Sequence, residues 1–147
     1  MTLAILLQHV AFDTSVLVSI FLDSEQADPE HERLLSRHIC LIGWPTLLEF
    51  QTVMTNKFGR KDRKRISELE DLIDQMLAQS NVTAIDFSQA HHEAAVAAML
   101  RFGRGSGHAA QINYGDCMAY AVAKVARVPL IYKGNDFIHT DVNLGFD

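Results

Sequence analysis

The sequence predicts an α/β fold in three layers, a central and mainly parallel sheet with helices on both faces, and three observations lead there. Short apolar runs alternate along the chain with longer segments of helical period, the order of elements that builds a parallel sheet. Acidic residues stand where several of those runs end or where a helix begins, the edge at which open α/β sheets bind ligands. The stretch 113–137, NYGDCMAYAVAKVARVPLIYKGNDF, contains the whole pattern in miniature: a helix with an acid in its first turn, a short connection, a buried strand and a second acid beyond it. With 147 residues, 48% apolar and 21% charged, the chain reads as one globular domain over residues 1–147, large enough to bury a core.

The elements follow in order. Residues 5–12 are apolar apart from Gln8 and His9, and the second half of that run is the first strand, with Asp13 at its carboxyl end. Thr14 or Ser15 is placed to cap a helix over 16–22. Residues 23–37 are polar with Leu34 and Leu35 embedded, an amphipathic second helix. The run 39–42 is the second strand, closed by Gly43. Pro45 suits the first turn of a third helix over 46–57, because its fixed φ is already helical. Glu49 sits in that helix among Leu47, Leu48 and Phe50. The segment 57–65, KFGRKDRKR, holds six of the thirteen basic residues. From Ile66 the positions Leu69, Leu72, Ile73, Met76 and Leu77 keep helical spacing, a long fourth helix. A third strand over 82–85 precedes Ser88, the cap of a fifth helix reaching Phe102. Residues 103–111 are Gly-rich and polar, a mobile loop. The sixth helix runs over 116–127, rich in Ala, the best helix former. Val128-Pro129 ends it, since the residue before proline is pushed out of the α region. A buried strand at 130–132 leads to Asp136, and the tail could add an edge strand near 142–144.

Several function classes are excluded. A net charge of −5 argues against a general polyanion binder, although clustered charge matters more than the sum. Cys40 and Cys117 lack metal-type spacing, which fits a reducing cytoplasmic setting and no zinc site. The start, MTLAILLQHVAFD, has no basic leading segment and no clean cleavage site, so it is not a signal peptide. No apolar stretch is long enough to span a bilayer.

The acids carry the chemistry. In the predicted fold Asp13 and Asp136 end strands, Asp116 opens a helix, and Glu49 lies in the first turns of another, so all four point to one edge of the sheet. Two unit charges about 5 Å apart repel by about 3 kcal/mol at an effective dielectric near 20. Such a cluster takes up protons or binds a cation. Oxygen ligands alone favour a hard ion, Mg²⁺ or Mn²⁺, and a water on such an ion can attack a phosphodiester. Taken singly, each acid also fits a helix cap; the joint placement is what points to a metal site.

The segments DTSVL (13–17), PTLLEFQTVM (45–54), NYGDCMAYAVA (113–123) and KGNDFIHTD (133–141) resemble the PIN-domain family, and within it the VapC-type toxins of bacterial toxin–antitoxin pairs. The resemblance runs from Phe12 onward and leaves residues 1–8 as an additional N-terminal segment. It implies a three-layer α/β/α PIN-like fold, Mg²⁺- or Mn²⁺-dependent endoribonuclease activity, a homodimer, and a cognate antitoxin that blocks the site. It places Asp13 and Asp116 at the family's metal-binding aspartates and Glu49 at its acidic helix residue. Asp136 takes the fourth position, with Asn135 and Asp141 as alternatives.

Basic groups should rim an acidic centre that receives RNA. The 57–65 cluster, Arg101, Arg104 and Lys133 are candidates for phosphate contacts, and a solvated basic face is the competing reading of the cluster. Tyr114 is read as packing rather than base stacking, and His108 and His139 as surface or structural histidines. Two other functions compete with the nuclease. One is a PIN-like protein- or RNA-binding module without catalysis, and the other a receiver-like phosphoacceptor domain with Lys133 as its lysine.

Overall fold

A computed structural model describes residues 8–21 and 29–142. Parts of four expectations fall outside them: residues 1–7 of the additional N-terminal segment, Leu22 of the first helix, 23–28 of the second, and 143–144 of the edge strand. Val142 itself is buried in a bend.

Four strands form one sheet: β1 (His9–Phe12), β2 (Ile39–Gly43), β3 (Val82–Ile85) and β4 (Leu130–Ile131), in the spatial order β3-β2-β1-β4. Every ladder among the described residues is parallel, with Val10 opposite Cys40, Cys40 opposite Val82, and Phe12 opposite Ile131. A parallel pair cannot be joined by a tight turn, so the intervening chain crosses the sheet as helices. These are α1 (Thr14–Phe21), α2 (Pro29–Arg37), α3 (Trp44–Phe58), α4 (Arg63–Leu77), α5 (Gln89–Phe102) and α6 (Tyr114–Ala126).

Successive strand side chains point to opposite faces, and the core divides accordingly. Val10 and Phe12 of β1, Cys40 and Ile42 of β2 and Ile131 of β4 pack with Val16, Leu17, Phe50 and Leu69, burying α1, α3 and α4 on one face. Ala11 and Leu130 turn to the other face and meet α5 and α6 through Phe102, Ala119 and Tyr120. The alanines of α6 let it lie close to the sheet. Gly43 completes that fit, because a Cβ there would stand 2.8 Å from Val122 Cγ2.

Several helices begin earlier than the sequence suggests. The expected start of α6 at Asp116 moves to Tyr114, because Asn113 and Asp116 cap it reciprocally: the Asp116 N–H donates to Asn113 Oδ1 and the Asn113 N–H to Asp116 Oδ2, each at 2.9 Å. Helix α1 starts at Thr14 rather than Val16, and Asp13, not Thr14 or Ser15, is its cap: the Ser15 N–H donates to Asp13 Oδ2 at 3.1 Å. Helix α4 begins at Arg63 behind Asp62, whose Oδ1 accepts from the Arg65 N–H at 3.2 Å. That anion offsets the unfavourable placement of Arg63, Lys64 and Arg65 at the positive end of a helix dipole. Ser88 caps α5 as expected. The loop expected to be mobile at 103–111 is fastened at its base. A bridge joins Gly103 to Ile112, and His108 sits edge-on to Phe102 with ring centroids 4.9 Å apart.

Candidate active site

The chain runs from β1 outward through β2 and β3, then returns to place β4 on the other side of β1, so the order of the sheet reverses beside β1. At such a reversal the connections leaving neighbouring strands diverge and open a crevice at the carboxyl ends. Asp13 follows β1 directly, and its N–H donates to the Ile131 carbonyl of β4 at 3.0 Å. Glu49 comes from α3, which leaves β2. Asp116 comes from the first turn of α6, and Asp136 from the loop after β4. All four line one open cleft of ≈ 530 Å³.

Helix phase explains the wall that α3 supplies. Phe50 and Met54 are buried, while Glu49, Val53 and Lys57 recur every four residues and line the cleft. Helix α1 contributes Ser15, Val18 and Ser19 in the same way.

The two aspartates nearest the sheet divide their oxygens between roles. Asp13 is 4% exposed. Its Oδ2 accepts from the Ser15 hydroxyl at 2.6 Å and the Ser15 N–H at 3.1 Å. Its Oδ1 is buried with no hydrogen-bond partner, one of two such side-chain atoms among the described residues; the other is Thr46 Oγ1. The Ser15 hydroxyl in turn accepts from the Lys133 N–H at 2.9 Å. One hydroxyl thereby ties the loop after β4, which carries Asp136, to the carboxylate after β1.

Burial pushes the Asp13 carboxyl above its ordinary value; the Ser15 hydrogen bonds pull it down and the charge of Glu49 pushes it up again. Asp116 is pushed up to about 7, first by burial, against the opposing hydrogen bond from Asn113, and then by the charges of Asp13, Asp136 and Glu49. The four acids thus feel one another. Among the described residues no three His, Cys, Asp or Glu side chains stand together closely enough to hold a metal ion.

The donor set nevertheless fits a hard divalent ion. It consists of carboxylate oxygens, one of them buried without a partner, in a cleft wide enough for the waters such an ion keeps. Asp13, Asp116, Glu49 and Asp136 are the residues that could hold it.

The alternatives for the fourth acid separate. Asp141 accepts from the Tyr120 hydroxyl at 2.6 Å and from Lys124 at 3.2 Å, and pairs with Arg101 at 3.5 Å. Burial raises its pKa, but those partners outweigh burial and hold it below the usual carboxylate range. It lies outside the cleft lining, as does Asn135.

The basic candidates divide too. Lys57 and Lys133 line the cleft. Arg101 is committed to Asp141, and Arg65 pairs with Asp62 at 3.7 Å and lies over the Phe58 ring. Arg104 lies in the 103–111 loop, outside the lining. His108 is structural, its Nδ1 accepting from the Ala110 N–H at 3.0 Å.

The packing reading of Tyr114 is overturned. As the first residue of α6 it projects from the helix end and is 81% exposed. Sequence reasoning also missed Ser19 and Val53; a four-residue step from Ser15 and from Glu49 would have found both.

Fold and site together define an α/β protein with an acidic cleft at the carboxyl edge of a parallel sheet. The chain belongs to the PIN-domain family, whose model, described as PIN domain, matches residues 10–143. Ribonuclease VapC42 of Mycobacterium tuberculosis is 38% identical over 131 residues, covering 88% of this chain and 94% of that protein. Among solved structures, Mycobacterium tuberculosis VapC20, described as a sarcin–ricin loop cleaving toxin, matches with a TM-score of 0.67 at 14% identity over 90% of this chain and 95% of that one. VapBC2 of Rickettsia felis, bound to a DNA fragment from its promoter, gives 0.65 at 17% over 93% and 97%. The two structures bear on the fold, which is the three-layer PIN arrangement expected from the sequence.

Proposed function

We propose that this chain is a Mg²⁺- or Mn²⁺-dependent endoribonuclease that acts as the toxin of a toxin–antitoxin pair in the cytoplasm. The observation that carries the reading is Asp13 Oδ1, a buried carboxylate oxygen without a protein partner, set in a cleft with Glu49, Asp116 and Asp136. Family membership and the ribonuclease named among its relatives support it. Among the described residues no helix is long and apolar enough to cross a membrane.

Asp13 and Asp116 would hold the ion directly, and Glu49 and Asp136 would complete its surroundings. When bound, the ion supplies Lewis acidity at the scissile phosphate and lowers the pKa of a water. The protein's own groups do the rest. Ser15 fixes the Asp13 carboxylate through Oδ2 and leaves Oδ1 without a protein partner. Lys57 and Lys133, which line the cleft, neutralise phosphates beside an acidic centre that would otherwise repel RNA. Water attacks phosphorus, the opposite P–O bond breaks, and the departing oxygen takes up a proton.

An antitoxin would block the cleft with a basic side chain, because burying these carboxylates unpaired is costly. Structural neighbours that are toxin–antitoxin complexes support such a partner. A homodimer accords with the apolar side chains that stay exposed, Trp44 and Leu48 on α3 and Met99 and Leu100 on α5.

The test is cleavage of a cellular RNA pool by the wild-type chain and Asp116→Asn, each with Mg²⁺ and with chelator. Cleavage is expected only for the wild-type chain with metal. Equal activity in all four samples would remove the enzyme and leave a binding module. Induction in cells without the antitoxin should arrest growth, and Asp116→Asn should not.

A further inference from the structure

Gly115 is the second residue of α6, where glycine costs stability relative to alanine. It has no backbone reason to be there, since its φ is not among the positive values of the chain. The reason is space. A Cβ at Gly115 would overlap the Glu49 side chain: the three nearest heavy atoms to that position are Glu49 Oε2, Cδ and Oε1. The carboxylate therefore rests against the bare backbone of the α6 first turn. That turn also presents the positive end of the helix dipole, which favours an anion.

We propose that Gly115 is a positioning residue whose missing side chain is the seat of the Glu49 carboxylate, fixing where that acid enters the cleft. The inference rests on the metal-dependent reading of the site. Glu49 reaches the cleft from α3 at the end of a flexible side chain with several rotamers. The seat selects the one that holds its carboxylate against the first turn of α6, beside Asp116 in the same cleft. Gly115 precedes Asp116, so one turn of helix supplies one acid and seats another. Asn113, which caps the same turn through its side chain and its N–H, keeps the seat in register.

The test is Gly115→Ala. What the new methyl meets is the far end of a movable side chain, and alanine is the better helix former, so the variant should fold with a melting temperature equal to or above the wild type. Its affinity for Mn²⁺, titrated calorimetrically, should fall about tenfold or more, the usual effect of losing a group that orients a ligand. A crystal structure should show Glu49 displaced from the cleft. In a Glu49→Gln background, where the acid is already lost, Gly115→Ala should change Mn²⁺ affinity no further.

Retention of wild-type affinity, or a crystal structure with Glu49 unmoved, overturns the inference alone. An equal loss in the Glu49→Gln background overturns it as well, since the methyl would then be acting through Asp116. A wild-type chain that neither binds Mn²⁺ nor cleaves RNA overturns the nuclease reading and this inference with it.

Discussion

Asp116→Asn separates the stability of the fold from the work of the site. Its carboxyl is pushed from 3.8 to about 7. In the unfolded chain it titrates near the ordinary value, so between about pH 4 and 7 the folded state holds a proton that the unfolded state has released. A raised carboxyl pKa contributes stability that is complete below the unfolded value and lost as pH rises through the folded one. At about 1.4 kcal/mol per pKa unit the full interval would be about 4 kcal/mol. The cleft is open to water, which screens much of this, and a penalty on the order of 1–2 kcal/mol at pH 8 is the working figure.

Asparagine cannot ionise, yet its side-chain carbonyl can still accept the Asn113 N–H and keep the cap. In chelator at pH 8, Asp116→Asn should therefore melt higher than the wild type, by about 3–6 °C for a domain of this size. The gap should close as pH falls toward 4. Adding Mn²⁺ should reverse the order. At a hundredfold excess over its Kd the ion stabilises the wild type by about 2.7 kcal/mol, and the variant should gain little. The assay is a set of thermal melts from pH 4 to 8.5, with chelator and with Mn²⁺. A variant less stable than the wild type in chelator at pH 8, with no difference in response to Mn²⁺, would make Asp116 a structural cap and refute the reasoning.

Ser15→Ala removes the hydroxyl between Asp13 and the Lys133 N–H, and should weaken Mn²⁺ binding about tenfold, measured by calorimetry. Its thermal stability should fall by about 1–2 kcal/mol. Lys57→Ala and Lys133→Ala should each raise KM for RNA and leave Mn²⁺ affinity unchanged. If each lysine meets one phosphate, each variant should flatten the slope of log K against log salt by about 0.7. Asp141→Asn should leave Mn²⁺ affinity and cleavage intact while costing about 1 kcal/mol of stability at pH 7 through its bonds to Tyr120 and Lys124. The contribution of Asp141 is present above the unfolded carboxyl value and lost as pH falls through its lowered folded one, so the two proteins should converge in acid.

The strands were legible because each is an apolar run too short to be anything else, and β2 and β3 fall within one residue of where the sequence puts them. Helix starts were less legible. Apolar periodicity marks the buried face of a helix, whereas its first turn is fixed by side chains that return to the backbone, as Asn113 and Asp13 do. The fourth acid shows another limit. Asp136 and Asp141 stand five residues apart in the same turn-rich tail, and nothing local tells them apart. What distinguishes them is that Asp141 finds Tyr120, Lys124 and Arg101, all remote in sequence and brought together by α5 and α6. The placement of Lys57 was legible in principle, since it lies two turns beyond Glu49 on one face of α3, but a dense cluster of charge hides which member faces inward.

In the proposed function the helix cap and the metal ligand, which the sequence poses as alternatives, would be reconciled by the number of oxygens. A carboxylate has two, with about four lone-pair sites between them. Asp13 gives one oxygen to the start of α1 and leaves the other buried and unpartnered. Asp116 gives one to the Asn113 N–H while its charge meets those of Asp13, Asp136 and Glu49. On that reading the cap would be the means of aiming the ligand, because a carboxylate anchored through one oxygen has little freedom left for the other. Ordering costs are met during folding rather than at metal binding, and the charge is held where it repels its neighbours. A domain built this way stores at the rim of its sheet an electrostatic penalty that a proton, a cation or a partner's basic side chain relieves. On the proposed reading, metal binding and inhibition by an antitoxin would be two responses to one unfavourable charge.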